Sequence, residues 1–463
     1  STMIAMPTVI NSIEKIDKMI KKMEITYLAN RSQNMYYMLL GDCVAKSEKI
    51  VDMDAKIVAY GNKKIEELNA KYPSEPKLFN FIYRKRVYSA GEECYMGWER
   101  KRGALTQLNS LLLGKLTETE IDNAMYITHR DLPDVKYILT IDEDTSLSLN
   151  SAKELVAIIA HPLNKPVLSK NGKIVKSGYG LIQPAIGLDI EAANSSIFSK
   201  VFGGFGGLDI YTNAISNLYQ DLFGEAIYTG KGIYDIKLFD ELIGNKVPEN
   251  LILSHDLLEG SFMRTGLASD VEVQDGFPSN FIAYTKRNHR WFRGDMQIAS
   301  WIFKPRSGLS LLSRWKIFDN LRRELLPVAA LLLLVIAAFM PSDAFTKATI
   351  ITFITMNFGY ILSIINEIIF GKNAERKQKQ YIPVIFGIRA NLLKMVENIV
   401  TIPYKSWVVL NAFITSLYRM FITKKKLLEW ATAETIEKSA KEKLGYVYKN
   451  MWSNVVLAIF FMA

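Results

Sequence analysis

The chain has 463 residues, 49% of them hydrophobic, a formal net charge of +10 and 2 cysteines. It is too long for one ordinary domain, and Cys43 and Cys94 supply neither a disulfide framework nor a metal-ligand spacing, which agrees with a reducing compartment. The positive balance could mean nucleic acid as a partner, but its placement argues otherwise: Arg322, Arg323, the basic run 372–379 and Lys424, Lys425 and Lys426 all flank apolar segments, as in the positive-inside pattern.

Residues 2–8 and 36–42 read as buried strands, with a charged helical stretch over 47–72 after the second. Residues 136–144 give a third strand that ends in acid. Strands alternating with helices predict an α/β fold with a largely parallel sheet, whose sites gather at the carboxyl ends of the strands, where Asp42 and the acid group stand. Beyond residue 320 long apolar blocks take over. Residues 325–340 and 345–370 carry little charge apart from Lys347 and Glu367 and are separated by the turn-like Pro341-Ser342-Asp343, which predicts a transmembrane hairpin. The stretch 381–422 is apolar but broken by Arg389, Lys394, Glu397, Lys405, Pro383 and Pro403, and reads as interfacial helices. Residues 427–449 read as a charged, solvated helix, and the chain stops inside a new apolar run, 455–463. The expected organisation is a cytoplasmic domain over 1–320, a transmembrane hairpin over 321–371, cytoplasmic interfacial helices over 372–450 and the start of a truncated span over 451–463. With neither end looking natural, the chain reads as a piece of a longer polypeptide.

Three groups of residues can carry chemistry. Asp142-Glu143-Asp144 places two carboxylates at i and i+2 after an apolar strand, which suits Mg²⁺ or Mn²⁺, although such clusters are also common as solvated turns. In Ser254-His255-Asp256, Asp256 is a candidate general base; the competing reading is a cap on the helix that follows. Arg287, Arg290 and Arg293, with Trp291, offer guanidinium forks for diphosphate and a flat face for a sugar, or else a basic helix on lipid headgroups. Lys101 lies in a basic turn that can hold phosphate or be a solvated charge run. Thr229-Gly230-Lys231-Gly232 is too short for a Walker loop, the glycines at 203, 204, 206 and 207 make no GxGxxG, the 4 histidines fall in no zinc spacing, and no serine has a GxSxG context.

In order, residues 3–8, 40–42, 98–105, 140–145, Gln183-Pro184, 224–235 (GEAIYTGKGIYD), 247–260 (VPENLILSHDLLEG) and 289–295 (HRWFRGD) resemble the glycosyltransferase module of the cyclic β-1,2-glucan synthases, relatives of cellulose synthase. The tail ending LYRMFITKKKLLEW is similar to the membrane-side segment of the same branch. The resemblance implies a GT-A, Rossmann-like transferase domain followed by transmembrane and interfacial helices. It implies a multi-pass inner-membrane enzyme with its catalytic domain in the cytoplasm, using UDP-glucose and Mg²⁺ or Mn²⁺ to extend a β-glucan acceptor with inversion. Carried over residue by residue, it gives Asp42 and Lys101 to the nucleotide, Asp142 and Asp144 to the metal and diphosphate, Arg290 to the diphosphate and Asp256 to the base. Trp291, His255 and Gln183 fall to the acceptor. The Thr-Glu-Asp motif of cellulose synthases reads Ser254-His255-Asp256 here, and Gln-x-x-Arg-Trp reads Arg287-x-x-Arg290-Trp291. Family members grow their glucan on the protein, so Tyr211, Tyr219 and Tyr234 are candidate initiators beside a packing role for each. The branch also implies a phosphorylase-like domain elsewhere in the full-length chain.

The predicted function is therefore inverting glucosyl transfer onto a β-1,2-glucan. Synthesis of another β-linked polysaccharide, a glycoside hydrolase and an inactive membrane scaffold are the rivals; product linkage separates the first, nucleotide dependence the second and UDP binding the third.

Overall fold

The computed structural model describes residues 1–203, 218–244, 246–305, 307–378, 387–430 and 444–462. The central strands are apolar along their whole length because helices cover both faces. In Met35–Cys43 all nine residues are buried, and in Thr2–Ile10 alternate residues enter two different cores. Met3 and Ala5 join the core beneath helices Arg100–Leu112 and Ile236–Ile243, whereas Ile4 and Met6 join that beneath Ile13–Ala29 and Asp52–Lys71. Period-two alternation thus divides one apolar run between two layers.

Among the described residues the sheet has nine strands, in the order Met125–Ile127, Phe79–Arg84, Met35–Cys43, Thr2–Ile10, Tyr137–Thr140, Gly232–Asp235, Leu181–Leu188, Thr265–Asp275 and Ser146–Leu147. The expectation of a largely parallel sheet is corrected, since four of the eight pairings are antiparallel. Gly232–Asp235 follows helix Leu218–Phe223 and the loop 224–231, and runs back between Tyr137–Thr140 and Leu181–Leu188. This reversal has a chemical result. Gly232 pairs with Thr140, so Lys231 at the start of one strand lies beside Asp142 just past the end of the other.

The predicted third strand is shorter than expected, and its acids stand in the loop beyond Thr140. After the sheet, helix Phe281–Ile298 packs against Ile402–Leu417, with the Thr285 and Tyr404 hydroxyls 3.3 Å apart. Leu326–Ala338 has 13 residues, about 20 Å of helix, less than a ~30 Å hydrocarbon core requires. It is followed by Ser342–Gln378, in which Ser342–Asn366 is long and apolar enough to cross a bilayer, with mean hydropathy 1.8. Gly387–Val400, Ile402–Leu417 and the wide turn Tyr418–Thr423 come next. The expected solvated helix over 427–449 is corrected at its start, where Leu427 and Leu428 are non-helical and buried against the body of the protein; 431–443 lie outside the described residues. Their apolar side chains and backbone find partners there that a solvated helix would not give them. The later helices are Leu444–Asn450 and Trp452–Met462.

Candidate active site

A cleft of about 560 Å³ opens at the carboxyl ends of Thr2–Ile10, Met35–Cys43 and Tyr137–Thr140, and is roofed by helix Phe281–Ile298. It brings together Asp42, Lys101, Asp142, Asp144, His255, Asp256, Arg290 and Trp291. The groups come from five separate stretches of the chain, so their meeting is a product of the fold.

Asp42 is buried at the end of its strand. Its Oδ1 accepts from the Cys43 amide at 3.1 Å, and the Arg84 guanidinium lies 3.3 Å from Oδ2. Arg84 is itself locked, with Nε on Gln107 Oε1 at 2.8 Å and Nη1 on the Arg100 carbonyl at 2.9 Å. Gly97 is dictated by this contact, since a Cβ there would fall 1.8 Å from Asp42 Oδ1. The next turn carries strain: Glu99 and Arg100 both sit at positive φ, 54° and 52°, where helix Arg100–Leu112 begins. Arg102 donates back to Glu99 at 2.5 Å, which holds that turn and aims Lys101 into the cleft.

Lys101 Nζ donates to Asp142 Oδ1 at 2.5 Å and to the Gly230 carbonyl at 3.0 Å. Lys231 takes the other side, 3.4 Å from Asp142 Oδ2 and 2.7 Å from Asp275 Oδ2. Thr145 donates to Asp275 Oδ1 at 2.7 Å. Burial opposes the charge on Asp142, but Lys101 and Lys231 hold its carboxyl well below the usual range. Asp144 behaves oppositely, because burial and then Asp275 push it up to about 6. Lys231 stays firmly protonated against its burial, through Asp275 and Asp142. Lys22 fixes the backbone of this acid loop by donating to the Glu143 carbonyl at 2.6 Å, and Lys15 pairs with the Glu143 side chain at 3.2 Å.

Asp256 is the first residue of helix Asp256–Met263, and the flanking His255 makes no side-chain capping bond, so capping does not account for either. The Asp256 carboxylate rests on Gly230, whose φ of +89° and lack of a side chain allow the approach; a Cβ would lie 2.9 Å from both oxygens. His255 is buried beside it. Burial disfavours the imidazolium, yet Glu259 and then Asp256 raise its pKa overall.

Helix Phe281–Ile298 is not a lipid-facing basic helix over Arg287, Arg290 and Trp291, because these residues line the cleft. Arg287 lies over the Trp291 ring at 4.7 Å and Arg290 over Trp430 at 5.5 Å. Burial lowers Arg290 to about 10, with Arg287 adding to the effect. Arg293 points elsewhere, to the carbonyls of Lys426 at 3.3 Å, Leu427 at 3.4 Å and Glu429 at 3.3 Å. With Leu428 donating to Glu92 Oε1 at 2.7 Å, these bonds seat Leu428 and Trp430 in the cleft wall.

Three expectations are corrected. Gln183 is fully buried outside the cleft; its amide donates to Thr229 Oγ1 at 2.6 Å and accepts from the Thr229 amide at 2.8 Å, so it braces the loop that presents Lys231. Tyr234 packs on Phe239 and donates to Asn109 at 3.0 Å, and Tyr219 donates to Asp319 at 3.3 Å. Neither tyrosine lines the cleft, each being drawn into the core by its ring and a polar partner for its hydroxyl. Tyr211 lies outside the described residues. Sequence reading passed over Asp275, Asp295 and Tyr228, all in the cleft wall, and set Lys231 aside as a poor phosphate loop. The available signal for Asp275 was an acid closing a long strand, as Asp42 does.

The whole chain is 34% identical, over 466 aligned positions, to part of the cyclic beta-(1,2)-glucan synthase NdvB of Rhizobium meliloti (strain 1021). This chain is a homologue of one segment of a cyclic β-(1,2)-glucan synthase. It spans 16% of that relative's length. No family model matches the chain. S. aureus TarS, a solved structure, covers 74% of this chain over 50% of its own at 12% identity, with a TM-score of 0.35, too loose a likeness to assign a fold.

Proposed function

We propose that this segment of the glucan synthase homologue transfers glucose from UDP-glucose, with inversion, to the end of a growing β-1,2-glucan in a GT-A-type site. The observation that carries the reading is the meeting, in one cleft, of an acid cluster, the buried Arg287 and half-buried Arg290 guanidinium groups and a separate carboxylate, Asp256. Asp42 and Lys101 form the nucleotide end. Arg287 and Arg290 face the acids and supply positive charge for a leaving diphosphate. Asp256 takes the proton of the attacking 2-hydroxyl, and a single displacement then inverts the anomeric carbon. Trp291 offers the acceptor sugar a flat apolar face.

The acid cluster suits a divalent cation. Asp142 and Asp275 already hold one positive group, the Lys231 ammonium, between them, and the raised Asp144 marks negative charge that the lysines leave uncompensated. Asp142, Asp144 and Asp275 would hold Mg²⁺ or Mn²⁺ through hard oxygen donors. Such an ion, when bound, neutralises charge on a diphosphate leaving group.

The membrane part of the reading rests on Ser342–Asn366 and the basic residues that flank the apolar helices. It places the protein in the inner membrane as a multi-pass chain, with the cleft in the cytoplasm, and a phosphorylase-like domain in the remainder of the full-length protein. Priming on the protein itself is retained as part of the proposal, with Tyr211, outside the described residues, kept as a candidate.

The test is incubation of the detergent-solubilised chain with radiolabelled UDP-glucose and Mg²⁺ or Mn²⁺, beside Asp256→Asn. Metal-dependent incorporation into β-1,2-linked glucan is expected, falling about 10²- to 10⁴-fold in the variant. Absence of both incorporation and UDP binding would overturn the reading.

A further inference from the structure

We propose that His255, Asp256 and Glu259 form a binding site for a divalent transition-metal ion, separate from the Asp142 cluster. The three side chains stand at the start of helix Asp256–Met263, where positions 255 and 259 share a face. One donor atom from each lies within 4.8 Å of the other two. His255 Nδ1 is 2.8 Å from Glu259 Oε1 and 3.6 Å from Asp256 Oδ1. Ligands that converge on one ion through bonds of about 2.0–2.2 Å stand at such separations from each other.

A second observation points to a ligand between them. His255 and Glu259 are only 6% and 2% exposed, yet His255 Nδ1 and Glu259 Oε1 make no hydrogen bond, their close approach being off line. Two buried polar atoms left this way are costly, and a cation bound by both removes that cost. Charge gives the same answer. An imidazole that binds a metal is neutral, so with the two carboxylates the ligand set carries two negative charges, which one divalent ion cancels.

The donor set selects the ion. Imidazole with carboxylate suits zinc, cobalt or manganese, whereas magnesium favours an all-oxygen, octahedral shell. His255 and Asp256 line the cleft, so the ion enters from it. Once bound, it engages the Asp256 carboxylate and withdraws it from proton transfer. That consequence rests on the proposed function, whereas the site does not, so the decisive measurement is of binding.

Co²⁺ is titrated into the detergent-solubilised chain and its visible d–d absorption followed, with circular dichroism to confirm that each variant is folded. One Co²⁺ per chain that Mg²⁺ does not displace is expected, and Zn²⁺ displaces it. Affinity should fall more than about tenfold in the near-isosteric Glu259→Gln and again in His255→Asn, and hold in Asp142→Asn. If either of the first two variants fails to fold, the other decides. Absence of bound Co²⁺, equal affinity in wild type and Glu259→Gln, displacement by Mg²⁺ or loss in Asp142→Asn would each overturn the proposal.

Discussion

On one wall of the cleft the two oxygens of Asp142 face Lys101 and Lys231, and Asp275 faces Lys231 and the Thr145 hydroxyl. On a second wall Asp256 and Asp295, with the buried Glu259 on the same helix as Asp256, are met by His255 and the amide of Asn320. Permanent cations compensate the first group; a titratable ring and a neutral amide meet the second. Asp142 and Asp275 are therefore set before any substrate arrives. The second can exchange protons, because His255 and Asp295 are both shifted upward by their surroundings.

Removing a cation from the compensated wall breaks this contrast most severely. Lys231→Met leaves Asp142 and Asp275 close together without the ammonium between them, and the loss of one partner from a buried pair costs about 3–5 kcal/mol. A large fall in thermal midpoint at neutral pH is expected, partly recovered at acidic pH as the acids take up protons. A midpoint equal to the parent's would mean that the two carboxylates are hydrated and the wall is not preformed.

Much of this wall was legible before the fold was seen, and the reason is local. A carboxylate that closes an apolar strand is visible in the pattern, so Asp42, Asp142 and Asp144 could be read directly, and the SHDLLEG and HRWFRGD runs marked Asp256, Arg290 and Trp291. Lys231 and Asp275 were not legible, since their meeting depends on Gly232–Asp235 running against its neighbours. Nothing in four residues of strand reveals its direction. Gln183 was misread for a related reason: its position in a recognisable motif says that it matters, but not whether it faces the cleft or the loop behind it. Residues 427–430 show the limit of charge patterning, because a run that looks solvated is pinned by Glu92, Arg293 and Gln297, far away in sequence.

That pinned segment lines the cleft through Leu428 and Trp430 and offers a milder perturbation. Arg293→Met removes bonds to three carbonyls, and hydrogen bonds to a charged donor are worth about 1.5–3 kcal/mol. Faster tryptic cleavage after Lys424, Lys425 or Lys426 is expected, with the sheet's circular dichroism unchanged. Equal cleavage rates would show that Glu92 and Gln297 hold the segment without Arg293.

Asp295 gives the smallest effect and the most direct reading of the titratable wall. Burial raises its carboxyl from the usual 3.8 to about 7, Asn320 opposing the shift and Asp256 adding to it. With the folded value above the unfolded one, the folded chain binds more protons between about pH 4 and pH 7. Stability from this group is then full at the acidic end and is lost as pH rises through 7. Asp295→Asn cannot ionise and escapes that loss, so its stability relative to wild type should improve by on the order of 1–3 kcal/mol between pH 5 and pH 8. Thermal midpoints of both proteins across this range provide the measurement. A difference that stays flat would mean that Asp295 ionises as a solvated carboxyl does, and that the second wall holds its charge as firmly as the first.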